Sequence, residues 1–162
     1  MIVLMAGLPG TGKSTLCRKL SGVVLDKDQI RAALFTEVEY STEQDDFCMK
    51  VMLDTAAYIL KKDPLRVVFL DGRPFSKQYQ IEQVIAAAGE IDQPWRILEC
   101  VCSEATAKQR LADQVGHLAG NRDYQMYLRV KSGFEEIVSP KTVIDTDQPI
   151  EACVTLARAA LL

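Results

Sequence analysis

Close to its amino end the chain reads GLPGTGKST, residues 7–15. The pattern Gly7-x4-Gly12-Lys13-Ser14 has the spacing of a phosphate-binding loop, or P-loop. Glycines let the backbone curl until successive N–H groups point inward at phosphate oxygens. A helix starting at the lysine adds its dipole and its unpaired amides. On this reading Gly7, Leu8, Pro9, Gly10, Thr11, Gly12, Lys13, Ser14 and Thr15 form the cofactor-binding loop. Lys13 reaches the β- and γ-phosphates of ATP, and the Ser14 hydroxyl is a ligand for Mg²⁺. A lysine behind three glycines and a proline has no evident structural task.

Two further groups bear on what a bound nucleotide is used for. In LDKDQIR, residues 25–31, Asp28 and Arg31 stand three apart and share one face of a helix start. A carboxylate near the γ-phosphate can accept the proton of an attacking hydroxyl, and a guanidinium beside it can hold an anionic acceptor or the moving phosphoryl group. The plainer reading makes Asp28 a helix cap and Arg31 a surface charge. In VVFLD, residues 67–71, an apolar run ends in a carboxylate, the Walker B arrangement that brings Asp71 to Mg²⁺ or its waters. Gly72-Arg73-Pro74-Phe75 follows. Arg73 and Phe75 are candidates for the wall of an acceptor pocket, unless Arg73 pairs with a surface acid.

These residues need elements to position them. Ile2–Ala6, Val23–Leu25, Arg66–Leu70, Trp95–Val101 and Lys141–Ile144 are short apolar runs suited to strands. Lys13–Leu20, Gln29–Phe35, Thr42–Leu60, Ser76–Ala88, Ser103–Gln114, Tyr124–Ile137 and Ile150–Leu161 suit helices. Gly89 closes the fourth of these, Ser103 caps the fifth, and the sixth is helical despite Gly133. Strands alternating with helices predict a parallel sheet covered on both faces, with ligands at the carboxyl ends of the strands. Gly7, Asp26, Asp71 and Asp145 each lie just past a predicted strand and should face one crevice. Met49, Met52, Leu53, Ala56, Ile59 and Leu60 recur at helical spacing and mark a buried face.

Composition narrows the field. The 162 residues fit one domain, residues 1–162, and at 48% hydrophobic and 25% charged they can build an ordinary core. A net charge of −3 argues against a nucleic-acid partner, because the broad basic footprint is lacking. His117 is the only histidine, which disfavours a multi-histidine metal site. The five cysteines are odd in number and Cys100-Val-Cys102 lacks metal spacing, so reduced, packed thiols in the cytoplasm are expected. No run approaches membrane length, so no membrane partner is expected. Tyr40 and Phe47 flank the acidic stretch Glu43 to Asp46, a solvated helix start or one side of the acceptor site.

Taken in order, GLPGTGKST, LDKDQIR, VVFLDGRPF, CSEATAKQRLADQ, HLAGNRDYQMYL and VIDTDQP resemble the P-loop kinases of the adenylate-kinase-like class. Within them the chain is similar to the AAA_33-type branch, which includes chloramphenicol phosphotransferase, the kinase domain of polynucleotide kinase and, more distantly, zeta toxins. The resemblance runs from Ile2 to about Pro149. It implies an α/β fold of three layers, with a five-stranded parallel sheet in the order 2-3-1-4-5, helices on both faces and a small lid at about 112–124. It also implies that Lys13, Asp28, Arg31, Arg110 and Arg122 are catalytic. Asp28 would be the general base, Arg31 the arginine beside it and Arg110 a lid arginine. Where many members place a second lid arginine this chain has Asp113-Gln114, and Arg122 is expected to supply that charge. Asp145 and Thr146 match the loop that packs near the nucleotide base.

The function expected is Mg²⁺–ATP-dependent transfer of the γ-phosphate to a hydroxyl of a small molecule. A polynucleotide 5′-hydroxyl kinase and a nucleoside-monophosphate kinase are alternatives. So is a regulatory ATPase with no acceptor of its own. Asp28 separates the last from the rest, because a switch has no use for a base there.

Overall fold

A computed structural model of the chain describes residues 1–113 and 123–162. In chain order its elements are β1 (Ile2–Ala6), α1 (Lys13–Cys17), β2 (Val23–Asp26), α2 (Lys27–Leu34), α3 (Thr42–Lys62), β3 (Val68–Asp71), α4 (Gln78–Glu90), β4 (Trp95–Val101), α5 (Glu104–Asp113), α6 (Tyr124–Ser132), β5 (Thr142–Asp145) and α7 (Ile150–Ala160). The five strands are all parallel and lie in the order β2-β3-β1-β4-β5, as the resemblance implies.

Alternation along β1 builds the layers. Ile2, Leu4 and Ala6 face one side, where Met49, Met52, Ala56 and Leu60 of α3 and Ile81, Val84 and Ala88 of α4 pack against them. Val3 and Met5 face the other, against Leu16 and Cys17 of α1 and Cys153 and Ala157 of α7. Every residue of β1 is buried, so its near-continuous apolar character follows from being covered twice. Each such side chain removed from water contributes about 1.5–3 kcal/mol. A satellite cluster of Ala107, Leu111 and Tyr127 joins α5 to α6, with Leu8 of the phosphate loop packed against it.

Several boundaries differ from the sequence reading for visible reasons. The first helix stops at Cys17 instead of Leu20; past it the bonds from Lys19 N to Leu16 O and from Leu20 N to Cys17 O continue as tighter turns. Helix α4 runs through Gly89 to Glu90. Helix α6 ends at Ser132, and Gly133 caps it. Beyond it Glu135 N donates to Ser76 O, the Glu135 carboxylate takes Gln78 N and Lys77, and Ile137 and Phe134 join the α3–α4 core. Tertiary contacts there override continuation of the helix. Ser103 does cap α5, accepting from Thr106 N. Among the described residues no helix is long and apolar enough to cross a membrane.

The tightest constraint on the backbone is at residue 7. Gly7 has φ 128°, and a Cβ added there would overlap the carbonyl oxygen of Cys100 on the neighbouring strand. Gly7→Ala should therefore destabilise the protein by about 2–4 kcal/mol in urea unfolding. Gly89→Ala is the control, because a Cβ there meets nothing within 4 Å. Within a helix that change should stabilise by about 0.5–1 kcal/mol. Equal effects from the two substitutions would contradict the role given to residue 7.

Candidate active site

Four strand ends build the site. Behind β1 the loop turns through Gly10 and Gly12, at φ 79° and 80°. Gly12 begins α1 with no side-chain cap, so the first-turn amides have no capping group competing for them. Lys13 is buried at 6% exposure and its Nζ donates to Gly7 O at 2.7 Å and Leu8 O at 2.8 Å. The ammonium is thus held across the mouth of the loop by the loop's own carbonyls.

Thr146, past β5, ties the loop to its surroundings. Its Oγ1 donates within reach of Thr11 O (2.9 Å) and Val101 O (3.1 Å), and it accepts from Arg110 Nη1 at 2.9 Å. Arg110 also donates to Thr146 O at 2.7 Å and Gly10 O at 3.4 Å. The guanidinium therefore bridges the phosphate loop and the turn after β5. Asp145 lies at the end of β5, exposed, and its carboxylate accepts from Asp147 N and Gln148 Nε2. Arg122 and most of the 112–124 lid lie outside the described residues.

Asp26 and Asp71 end adjacent strands and stand opposite each other in register. Asp26 caps α2, accepting from Asp28 N at 2.9 Å and Gln29 N at 3.4 Å. Burial, and then the Asp71 charge, push the Asp26 carboxyl above the ordinary aspartate range. Because Asp26 is the cap, Asp28 lies in the first turn of α2 and its side chain is released from capping. Its Oδ1 accepts from Arg31 Nη1 at 3.1 Å. Arg31 is 3% exposed; its Nη2 also pairs with Asp45, and the ring of Tyr40 covers it at 5.3 Å. Lys27 shares Asp45 at 3.0 Å, and burial, then the nearby Arg31, lower its ammonium to about 8.

Beyond β3, Arg73 is 2% exposed and donates from Nη2 to Asp46 Oδ1 at 2.7 Å and to the Tyr79 hydroxyl at 3.3 Å. Phase along the turn separates it from Phe75. With φ 53°, Phe75 turns inward and lies fully buried in the α3–α4 core. The expectation that Phe75 lines the acceptor pocket is corrected accordingly.

Lys13, Ser14, Lys27, Asp28, Arg31, Tyr40, Asp45, Asp71 and Arg73 line one cavity of about 240 Å³, closed on one side by Met126 and Val130 of α6. A larger groove of about 880 Å³ lies around Trp95, Arg96 and Thr142. It sits at the amino ends of β4 and β5, away from the carboxyl-end crevice where such folds bind ligands. Lys27, Asp45 and Asp46 were missed as individual site residues by sequence reasoning. The only signal for the two aspartates was the acidic run that Tyr40 and Phe47 flank.

The site fits a divalent cation held mainly by phosphate. Asp71 Oδ1 is buried with no hydrogen-bond partner among the described residues, and Ser14 lines the same cavity. No group of three or more His, Cys, Asp or Glu residues able to hold a metal occurs among the described residues. One carboxylate and one hydroxyl, completed by phosphate oxygens and water, is the donor set that suits Mg²⁺.

The Asp26 geometry makes a pH prediction. Its folded pKa is raised above the unfolded value of 3.8, so the folded state binds the proton more tightly. The stability this group gives is present below 3.8 and is lost as pH rises through the folded pKa. Asp26→Asn keeps a good helix cap and removes that loss. The variant should be more stable than the parent at pH 7, and the advantage should shrink as pH falls toward 4. A variant less stable at pH 7 would contradict the carboxylate opposition described.

Comparison with known proteins agrees with the fold. No curated protein matches the chain by sequence. A sugar kinase from a Janibacter species is 14% identical with a TM-score of 0.71, covering 99% of this chain and 93% of that one. The APS kinase of Mycobacterium tuberculosis, solved with AMPPNP and APS, is 14% identical with a TM-score of 0.72, covering 99% and 96%. Kti12 of Chaetomium thermophilum, in complex with ADP–AlF3, is 15% identical with a TM-score of 0.67, covering 100% of each chain. At these identities the likeness shows the fold. The AAA_33 family model, described as an AAA domain, matches residues 2–132, and the chain belongs to that family.

Proposed function

We propose that the protein is a Mg²⁺–ATP-dependent kinase that transfers the γ-phosphate to a hydroxyl of a small molecule. One observation carries the reading: Asp28, freed from capping by Asp26, lines the same cavity as Lys13 and Ser14 of the phosphate loop. A P-loop alone serves many functions. A carboxylate held beside it serves proton removal. The sugar kinase and APS kinase among the structural likenesses, and the nucleotides bound to that APS kinase and to Kti12, are consistent with this reading.

The loop amides and Lys13 would bind and orient the triphosphate. Arg31 fixes the Asp28 carboxylate by the 3.1 Å bond. An acceptor hydroxyl beside Asp28 gives up its proton to that carboxylate as its oxygen bonds to the γ-phosphorus. The bond from the γ-phosphorus to the bridging oxygen breaks, and ADP leaves. Ser14 and Asp71 would hold Mg²⁺, which when bound neutralises charge on the β- and γ-phosphates. Arg110, tied to the loop, would keep the cradle in shape and would approach developing charge. Arg122 would add charge from the segment after α5. The net charge of −3 and the small cavity favour a small acceptor over a nucleic acid.

Lys13→Ala should abolish phosphoryl transfer. Asp28→Asn should lower transfer by about 10²–10⁴-fold while leaving ATP affinity near the parent value. ADP release measured with and without acceptors, beside equilibrium nucleotide binding, checks both. Near-normal transfer by Asp28→Asn would remove the base assignment. ATP turnover that is indifferent to every acceptor and to Asp28→Asn would assign a regulatory ATPase instead.

A further inference from the structure

Among the described residues Arg73 is the largest fully buried side chain, and its hydrogen bonding is incomplete. Nη2 is served by Asp46 and Tyr79, while Nε and Nη1 have no partner among the described residues. The same holds for Nε of Arg31. A guanidinium only donates and does not lose its proton, so these groups can be satisfied only by acceptor atoms brought to them. The nearby carboxylates do not reach these nitrogens: Asp28 pairs with Arg31 Nη1, Asp45 serves both Lys27 and Arg31 Nη2, and Asp46, about one-third exposed, takes only Nη2 of Arg73. Three buried cations, Lys27, Arg31 and Arg73, therefore border a cavity that also holds Asp28.

A neutral polyol would bring hydroxyl oxygens, which are weak acceptors without charge. A carboxylate or a phosphate monoester brings two or three charged oxygens, matching the number of orphaned guanidinium donors. We propose that the acceptor alcohol carries a second, anionic group, a carboxylate or phosphate monoester, recognised by Arg73 with Arg31, while its hydroxyl faces Asp28. This rests on the kinase reading for the hydroxyl, and not for the anion.

The test separates the two. Protein saturated with Mg²⁺ and AMPPNP, so that the phosphate loop is filled, is titrated calorimetrically with inorganic phosphate and separately with acetate. At least one should bind, and Arg73→Gln should weaken that binding tenfold or more, with nucleotide binding as the check that the variant is folded. Phosphate alone indicates a phosphate monoester, and acetate alone a carboxylate. Failure of both to bind the parent, or binding unchanged in Arg73→Gln, overturns the proposal. If Arg73→Gln does not fold, the parent decides the matter through ADP release with matched alcohols that differ only in an anionic group. A tenfold or greater preference for the anionic member supports the proposal, and an equal or better neutral member overturns it. Arg73-dependent oxyanion binding without acceptor-stimulated turnover keeps the anion site and removes the kinase reading.

Discussion

Positive charge buried at the carboxyl edge of an apolar sheet sets the terms for everything around it. Lys13, Lys27, Arg31 and Arg73 are each at most 6% exposed. Charges so placed are tolerated only when paired and hydrogen-bonded. The chain supplies the partners from strand ends, from the first turn of α2 and from the start of α3. Asp26 and Asp71 terminate β2 and β3, Asp28 follows by two residues, and Asp45 and Asp46 come from α3. The rest of the fold, a sheet covered on both faces, keeps this layer of charge in place.

Within that layer two neighbouring aspartates divide the work by their position on a helix. Asp26 takes the amides of the next turn and loses its freedom. Asp28, one side-chain step further on, stays available. On the nucleotide side the Thr146 hydroxyl and Arg110 lock the loop to β4 and β5, so the cradle's curvature is supported from outside it. On the other side α3 holds Arg31 and Arg73 through consecutive aspartates. The start of α3 is thus in contact with both guanidinium groups at once.

Local patterns carried most of this into the sequence. The phosphate loop is contiguous, so its spacing alone placed it between β1 and α1. Apolar runs marked the strands because both sheet faces are covered, and Asp71 was legible as the residue after such a run. Asp28 and Arg31 were legible because helical spacing links them. What depends on distant partners was not legible. Asp45 meets Arg31 across 14 residues and Asp46 meets Arg73 across 27, with nothing local to announce either pair. The backbone turn that sends Phe75 into the core and Arg73 to the cavity is set by packing. The end of α6 at Ser132 depends on contacts that Glu135 and Ile137 make elsewhere. Strand order came from resemblance, since no periodicity specifies it.

The account is tested most directly by a crystal structure of the protein with Mg²⁺ and AMPPNP. It predicts the triphosphate seated on the amides of residues 10–15, the metal between Ser14 and Asp71, and the Asp28 carboxylate facing the terminal phosphate. A triphosphate bound anywhere else, or Asp28 turned away from it into solvent, would contradict the account.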